Sequence, residues 1–431
     1  MGVQTWILMS DPIITHEVMA SSMDRAYTTF GHKYYSHGGK GVAFSNYTGN
    51  YWKKARSAVL SVLAPKMVDQ YVDLIEREAS CLTDRLIEET KKSGNIDAWL
   101  TVELYSFNII SQVCLGKQFK SIEDEDFLKL SKILKKGVKQ TKFARDLPNF
   151  LPGFWIINKI MGVEAEMAHY VDAERDPYVR ELISKAVMTD GPNIMKALGD
   201  ENFSLDEENK LIIFTDSLTA GSDTTATTLY WAIGILCSRP DIQKKIQDEI
   251  DMFFRENSRL PTFSDHDKMN YCVSVIKEVL RYKPVTPFGL PHLANKDIFV
   301  GEYYIPKGSV VVSSMDHMHR NPKVYDRPLD FMPERFMNNT KTMNSISNGN
   351  VEGRDQYNFG WGRRMCPGMY LSEAEILSAY ISIFSRCSIE PDIDSEGNIC
   401  LPDISLPVDS GITQIAKPFK VRFIERANRL V

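Results

Sequence analysis

The segment Phe359-Gly360-Trp361-Gly362-Arg363-Arg364-Met365-Cys366-Pro367-Gly368 constrains this chain more than any other. It fits the pattern FxxGxRxCxG at every fixed position. A lone cysteine in a glycine-rich loop is ordinarily a buried free thiol. Five fixed positions within ten residues reverse that preference. Glycine removes the Cβ that would keep backbone away from a flat ligand. Cys366 lies just before a helix expected to start near Met369, and the positive end of that helix favours thiolate over thiol. Arg364, two residues earlier, is able to meet an anionic group. The segment therefore reads as a metal-ligating thiolate set in a glycine-rich cradle.

Composition narrows the class. The chain has 431 residues, 43% of them hydrophobic and 25% charged, which is ordinary for a globular protein and long enough for a large core. A net charge of −5 provides no basic field, and neither a Lys/Arg block nor zinc-finger spacing occurs, so nucleic acid is not an expected partner. Seven cysteines stand singly with no CxxC pair. That pattern argues against a disulfide scaffold or structural zinc and favours a reducing compartment. The opening MGVQTWILMSDP shows no signal peptide or anchor, and Trp6 stands where a myristoylation signal wants Ser or Thr.

Periodicity predicts a helix-rich chain with a smaller β portion and no linker, taken as one domain over 1–431. Val3 to Met9 reads as a strand, and Asp11-Pro12 opens a helix. Ser21 to Gly49 reads as loop, and Tyr51 to Leu63 as helix. Several helices follow from Met67 to Phe143. The aromatics Phe150, Phe154 and Trp155 mark an apolar loop or short helix. Val163 to Met195 is expected to be helical, and Asp206 to Ser238 is the longest helix candidate. After Asp297, IFVGEYYIPKGSVVVSS reads as short strands and turns. Asn338 to Asp355 is polar enough to be a poorly ordered loop. Leu371 to Arg386 reads as helix and the last forty residues as short strands.

Further patterns accompany Cys366. The long helix carries Ala220-Gly221-Ser222-Asp223-Thr224-Thr225. Glycine beside hydroxyl residues can open the i→i−4 ladder, leaving a small pocket where Asp223 and Thr224 relay protons. The competing reading is a buried helix with locally satisfied polar groups; a membrane span is disfavoured by Asp216 and Asp223. Glu278 and Arg281 share a face of a largely buried helix and need a further partner, which Arg335 in Pro333-Glu334-Arg335-Phe336 supplies. Trp52 and Arg56 also share a helix face.

Taken in this order, these segments resemble the cytochrome P-450 superfamily across nearly the whole chain. The resemblance implies the mainly α cytochrome P-450 fold with a smaller β region. It implies haem b, iron protoporphyrin IX, with Cys366 as its metal ligand, a role in which thiolate favours O–O cleavage. No CxxCH is present for covalent attachment. Phe359, Gly360 and Gly368 would form the cradle, and Arg56, Trp52, His292 and Arg364 would meet the haem carboxylates. Asp223 and Thr224 would be catalytic, and Glu278, Arg281 and Arg335 structural. Substrate contacts would come from His37 to Phe44, from near Leu218, from Thr286 to Leu290 and from Ser410 to Thr413.

The implied activity is a monooxygenase inserting one atom of dioxygen into a small, largely apolar organic substrate. Electrons would come from an NADPH-dependent flavoprotein reductase, with Lys53 and Lys54 as candidate docking charges. The alternatives are a haem-thiolate isomerase or dehydratase, and a non-catalytic haem-binding remnant. The overall style resembles microsomal members, fungal ones among them, which implies the cytosolic face of the endoplasmic reticulum membrane. Against the family pattern, the anchor, first helix and edge strand are expected to be missing. Membrane association would then depend on an N-terminal segment not present in this chain, and Val3 to Met9 would lie unpaired on one side.

Overall fold

The structure, a computed structural model, describes residues 4–20, 23–47, 50–142, 145–149, 151, 153–185, 193–337, 339–409 and 411–427. Val3, Ser21, Gly49, Phe143, Phe150, Asn338 and Ser410, each named above, lie outside those residues.

The longest helix is Glu207–Cys237. Asp206 and Asn209 start it with reciprocal side-chain bonds to each other's backbone N–H, at 2.7 and 3.2 Å, which satisfies two otherwise orphan donors. Every residue from Thr225 to Cys237 is buried, so this half is core on all sides. It packs against helix Trp99–Leu115, also buried nearly all round. Gly221 permits the approach: a Cβ there would stand 2.7 Å from Cγ1 of Ile110. The helix is continuous through Gly221, so the expected opening of its ladder is not found. The hydroxyls of Ser222, Thr224 and Thr228 instead donate to the carbonyls four residues back. Helices Val72–Ser93, Asn270–Tyr282 and Met369–Arg386 complete this core.

The main sheet has four strands. Trp6–Met9 forms one edge and runs parallel to Val310–Ser313. His292–Leu293 and then Asp24–Arg25 follow, each antiparallel to its neighbour. This register sets Arg25 opposite His292, which matters for the site. Short hairpins Ile298–Val300 with Tyr303–Ile305 and Pro407–Asp409 with Gln414–Ala416 make up much of the rest.

Three expectations need correction. The Ser21 to Gly49 stretch contains strand Asp24–Arg25 and a π-helical turn at Thr29–Tyr35, because Phe30, Tyr35 and Phe44 pack on one another and on Tyr170. The helix expected over Val163 to Met195 is continuous from Val163 to Ser184, but it loosens into a π-helical stretch at Tyr170–Arg175, next to Pro177, which has no N–H for the ladder. Residues 186–192 lie outside the described set, and Ile194–Gly199 is a separate helix. The polar Asn338 to Asp355 stretch holds helix Met343–Ser347. It is pinned because Met343, Ile346 and Val351 are buried, while Asp355 pairs with buried Lys277 at 2.7 Å.

Candidate active site

A cavity of about 410 Å³ gathers every catalytic and haem-binding candidate named from the sequence. Phe359, Gly360, Cys366 and Gly368 line one wall. The Cys366 N–H donates to Phe359 O at 2.9 Å and closes the loop. Gly360 and Gly362 both hold positive φ, +78° and +53°, where a side chain is strained. A Cβ on Gly362 would also press on Met19 O at 2.7 Å, whereas one on Gly360 would meet no atom within 4 Å.

Cys366 has open surface, and it faces this cavity. Burial by the surrounding chain pushes its thiol up; the Gly368 N–H and the Arg56 charge pull the other way without winning. The sequence expectation of a favoured thiolate is therefore reversed in the protein alone. Desolvation exceeds the help from the helix start, and a metal cation bound at the sulfur would restore the thiolate.

The loop is braced from behind. Arg281 donates to both Glu278 oxygens at 2.7 Å, Met332 N–H reaches Glu278 Oε1 at 2.7 Å, and Arg335 stands 3.1 Å from Oε2. Glu278 and Arg281 are essentially inaccessible to water, so the network is costly to break. Asn358 donates to Leu280 O on the same helix, and His319 Nε2 accepts from Tyr357 N–H. The ring of Tyr357 stacks between those of His319 and Trp361. His319 carried no signal in the sequence.

One rim of the cavity is cationic. Arg364 donates to Ser45 O and Arg56 to Met365 O, at 2.7 and 2.6 Å. Both guanidinium groups lie over the Trp52 ring, at 4.3 and 5.6 Å from its centre. The Trp52 N–H itself donates to Val42 O, so Trp52 offers the cavity its ring and not its donor. Arg25, absent from the sequence-derived set, stands 2.9 Å from His292 Nε2 and donates to Ala43 O and Leu290 O. Burial, then repulsion from Arg364 and Arg56, pushes Arg25 down to about 9. Burial is also the main cause that takes Arg364 to about 10 and His292 well below its usual range. Among the described residues, Arg364 Nε and Nη1 and His292 Nδ1 find no hydrogen-bond partner. Buried donors are normally satisfied, and here the missing partners would be anionic oxygens.

The Ala220–Thr225 turn of the long helix also lines the cavity. Asp223 Oδ2 accepts from the Thr413 hydroxyl at 2.9 Å, and burial raises its carboxyl to about 6. Thr224 Oγ1 donates to Ala220 O at 2.7 Å. Glu375, on the helix that follows Cys366, also lines the cavity. The sequence offered one sign of it: an acid inside the apolar run after Leu371.

Among the suggested substrate contacts, Val42 to Phe44, Thr286, Phe288 to Leu290, Ile412 and Thr413 line the cavity. His37 does not; its Nε2 meets Asp176 Oδ2 at 2.7 Å. Leu218 is buried in the core, and its neighbours Asp216, Ser217 and Thr219 face the cavity instead.

The family model described as Cytochrome P-450 matches residues 1–423. The chain belongs to the cytochrome P-450 family. Among its relatives, cytochrome P-450 monooxygenase 79 of Postia placenta is 31% identical over 274 residues, which are 62% of this chain and 46% of that protein. The steroid 17-alpha-hydroxylase/17,20 lyase of Felis catus is 28% identical over 447 residues, covering 98% and 84% of the two chains. The fold matches a zebrafish cytochrome P-450 solved with abiraterone: TM-score 0.79 at 23% identity, covering 99% of this chain and 94% of that one. Members of the family are monooxygenases, oxidoreductases that incorporate molecular oxygen and draw on redox partners, and this chain takes its place among them. Among the described residues, no helix is long and apolar enough to cross a membrane.

A cytochrome P-450 binds haem, and the residues present fit it. Gly360 and Gly368 line the cavity with Cys366, and a Cβ on either would meet no atom within 4 Å, so the loop leaves open space there. The unpartnered donors of Arg364 and His292, with Arg25 and Arg56 beside them, suit two carboxylates.

Proposed function

We propose that this chain is a haem-thiolate monooxygenase acting on a small, largely apolar organic substrate, with electrons from an NADPH-dependent flavoprotein reductase. The observation that carries the reading is the cavity itself, lined by the Cys366 thiol, by Asp223 and Thr224, and by four nitrogen bases on the rim. Bound haem would supply the activation of dioxygen. Cys366 would hold the iron, and Arg25, Arg56, Arg364 and His292 would hold the carboxylates. Phe30, Val42, Phe44, Val59, Leu63 and Ile110 keep much of the remaining lining apolar and exclude water from it.

Asp223 and Thr224 would move protons. With its carboxyl raised to about 6, Asp223 exchanges protons near neutral pH. The Thr224 hydroxyl proton is committed to Ala220 O in the resting structure, so its oxygen accepts from the cavity side until the side chain turns. The family resemblance also supports the cytosolic face of the endoplasmic reticulum, to be checked by fractionating the source cells.

The test is the absorption spectrum of purified, reduced protein under carbon monoxide. A strongly red-shifted Soret band that disappears in Cys366→Ala is expected. Bound haem with an ordinary carbon monoxide spectrum would refute Cys366 as ligand. Reductase-dependent product formation then separates a monooxygenase from an isomerase or a non-catalytic haem binder.

A further inference from the structure

Asp223 owes its placement to a distant part of the chain. Its carboxylate accepts a hydrogen bond from Thr413 Oγ1, 190 residues away in sequence. Thr413 is 4% exposed. It sits at the turn between strands Pro407–Asp409 and Gln414–Ala416, directly before Gln414. That turn is firmly held, since Gln414 N–H donates to Val285 O and Gln414 O accepts the Trp231 indole N–H, both at 2.8 Å. Ile412 and Thr413 line the cavity beside Asp223.

Charges around Asp223 do not substitute for this contact. Among the described residues no Lys, Arg or His forms an ion pair with it. The charges that act on Asp223 are Glu103 and Lys135, on two other helices, and they pair with each other at 2.8 Å. Their effects on Asp223 oppose one another.

We propose that Thr413 is a positioning residue for the proton relay: its hydroxyl orients the Asp223 carboxylate, and its place in a turn lining the substrate space ties proton supply to what fills that space. The inference rests on the reading of Asp223 and Thr224 as the relay. Each proton that Asp223 passes to the Thr224 hydroxyl is matched by one that the hydroxyl gives up to the cavity. Water then reprotonates Asp223.

Thr413→Val keeps the shape and removes the donor, and Thr413→Ser keeps the donor. The first readout needs no turnover. The infrared band of the Asp223 carboxylic acid, identified by its loss in Asp223→Asn, is titrated in the purified protein. A hydrogen bond donated to the carboxylate favours ionisation, so the midpoint should rise by about half a pH unit or more in Thr413→Val and return in Thr413→Ser. The second readout is hydrogen peroxide released per NADPH consumed, with reductase and 7-ethoxycoumarin as probe. It should rise several-fold in Thr413→Val and recover in Thr413→Ser. If Asp223→Asn leaves peroxide release unchanged, the relay reading itself fails. If Asp223→Asn raises it while Thr413→Val matches wild type in both readouts, only the role of Thr413 fails. Should Thr413→Val not fold, Thr413→Ala takes its place with the same expectations.

Discussion

Replacing Glu375 by Gln should change the pH dependence of stability in a direction and amount that the structure fixes. Glu375 is 1% exposed, and among the described residues only the Thr225 hydroxyl stands near its carboxyl as a donor. Burial pushes its pKa from 4.5 to about 8, with the nearby Thr225 hydroxyl pulling back only in part. The folded pKa lies above the unfolded one. Between these two values the native state keeps a proton that the unfolded chain gives up, so stability falls as pH rises from about 4.5 to about 8. The displacement corresponds to about 3 kcal/mol at pH 7 and about 5 kcal/mol above pH 8. Gln keeps the shape and cannot ionise. Its unpaired amide adds a penalty of roughly 1–3 kcal/mol that does not vary with pH. Urea unfolding followed by tryptophan fluorescence, at a series of pH values, should therefore show the variant gaining several kcal/mol on wild type between about pH 5 and pH 8.5. A difference that stays constant across that range would refute the buried neutral acid.

Two further outcomes test the cationic rim and the partner surface. Arg25→Ala removes a guanidinium next to His292 and should speed haem loss roughly 10- to 100-fold, the worth of one charge-assisted hydrogen bond. Transfer of haem to excess apomyoglobin, followed in the Soret region, measures this, and an unchanged rate removes Arg25 from the site. Lys53 and Lys54 are both exposed, on the same helix as Trp52 and Arg56. Changing both to Glu should slow reduction by the reductase several-fold at low salt, with the difference fading as salt screens the charges. Equal rates at low ionic strength would discard that docking surface.

What the sequence disclosed about the site follows a physical division. The Cys366 loop, the Glu278–Arg281 pair and the Trp52–Arg56 pair are local: their spacing along a turn or helix face already brings the groups together. Thr224 and Asp223 share one helix turn for the same reason. Helix boundaries such as Glu207 and Pro12 were readable because capping chemistry is also local; Asp11 Oδ1 accepts from Ile13 and Ile14 N–H as expected.

Arg25, Glu375 and Thr413 behave differently, because pairing or packing at long range gives each its place. Arg25 reaches the rim only through the strand register that sets it opposite His292, and a two-residue strand inside a polar stretch leaves no periodicity to find. Glu375 differs from Glu373, two residues earlier, only in surroundings. Glu373 meets His266 and the Met343 N–H, whereas among the described residues Glu375 has only the nearby Thr225 hydroxyl. Two identical side chains on one helix thus end in opposite states, one paired and one a candidate neutral acid. The groups best placed to tune proton supply are those whose environment is assembled last, from segments hundreds of residues apart. Variation of the hairpin at Ile412–Thr413 can therefore alter proton coupling while leaving the cysteine loop, and with it the grip on iron, untouched.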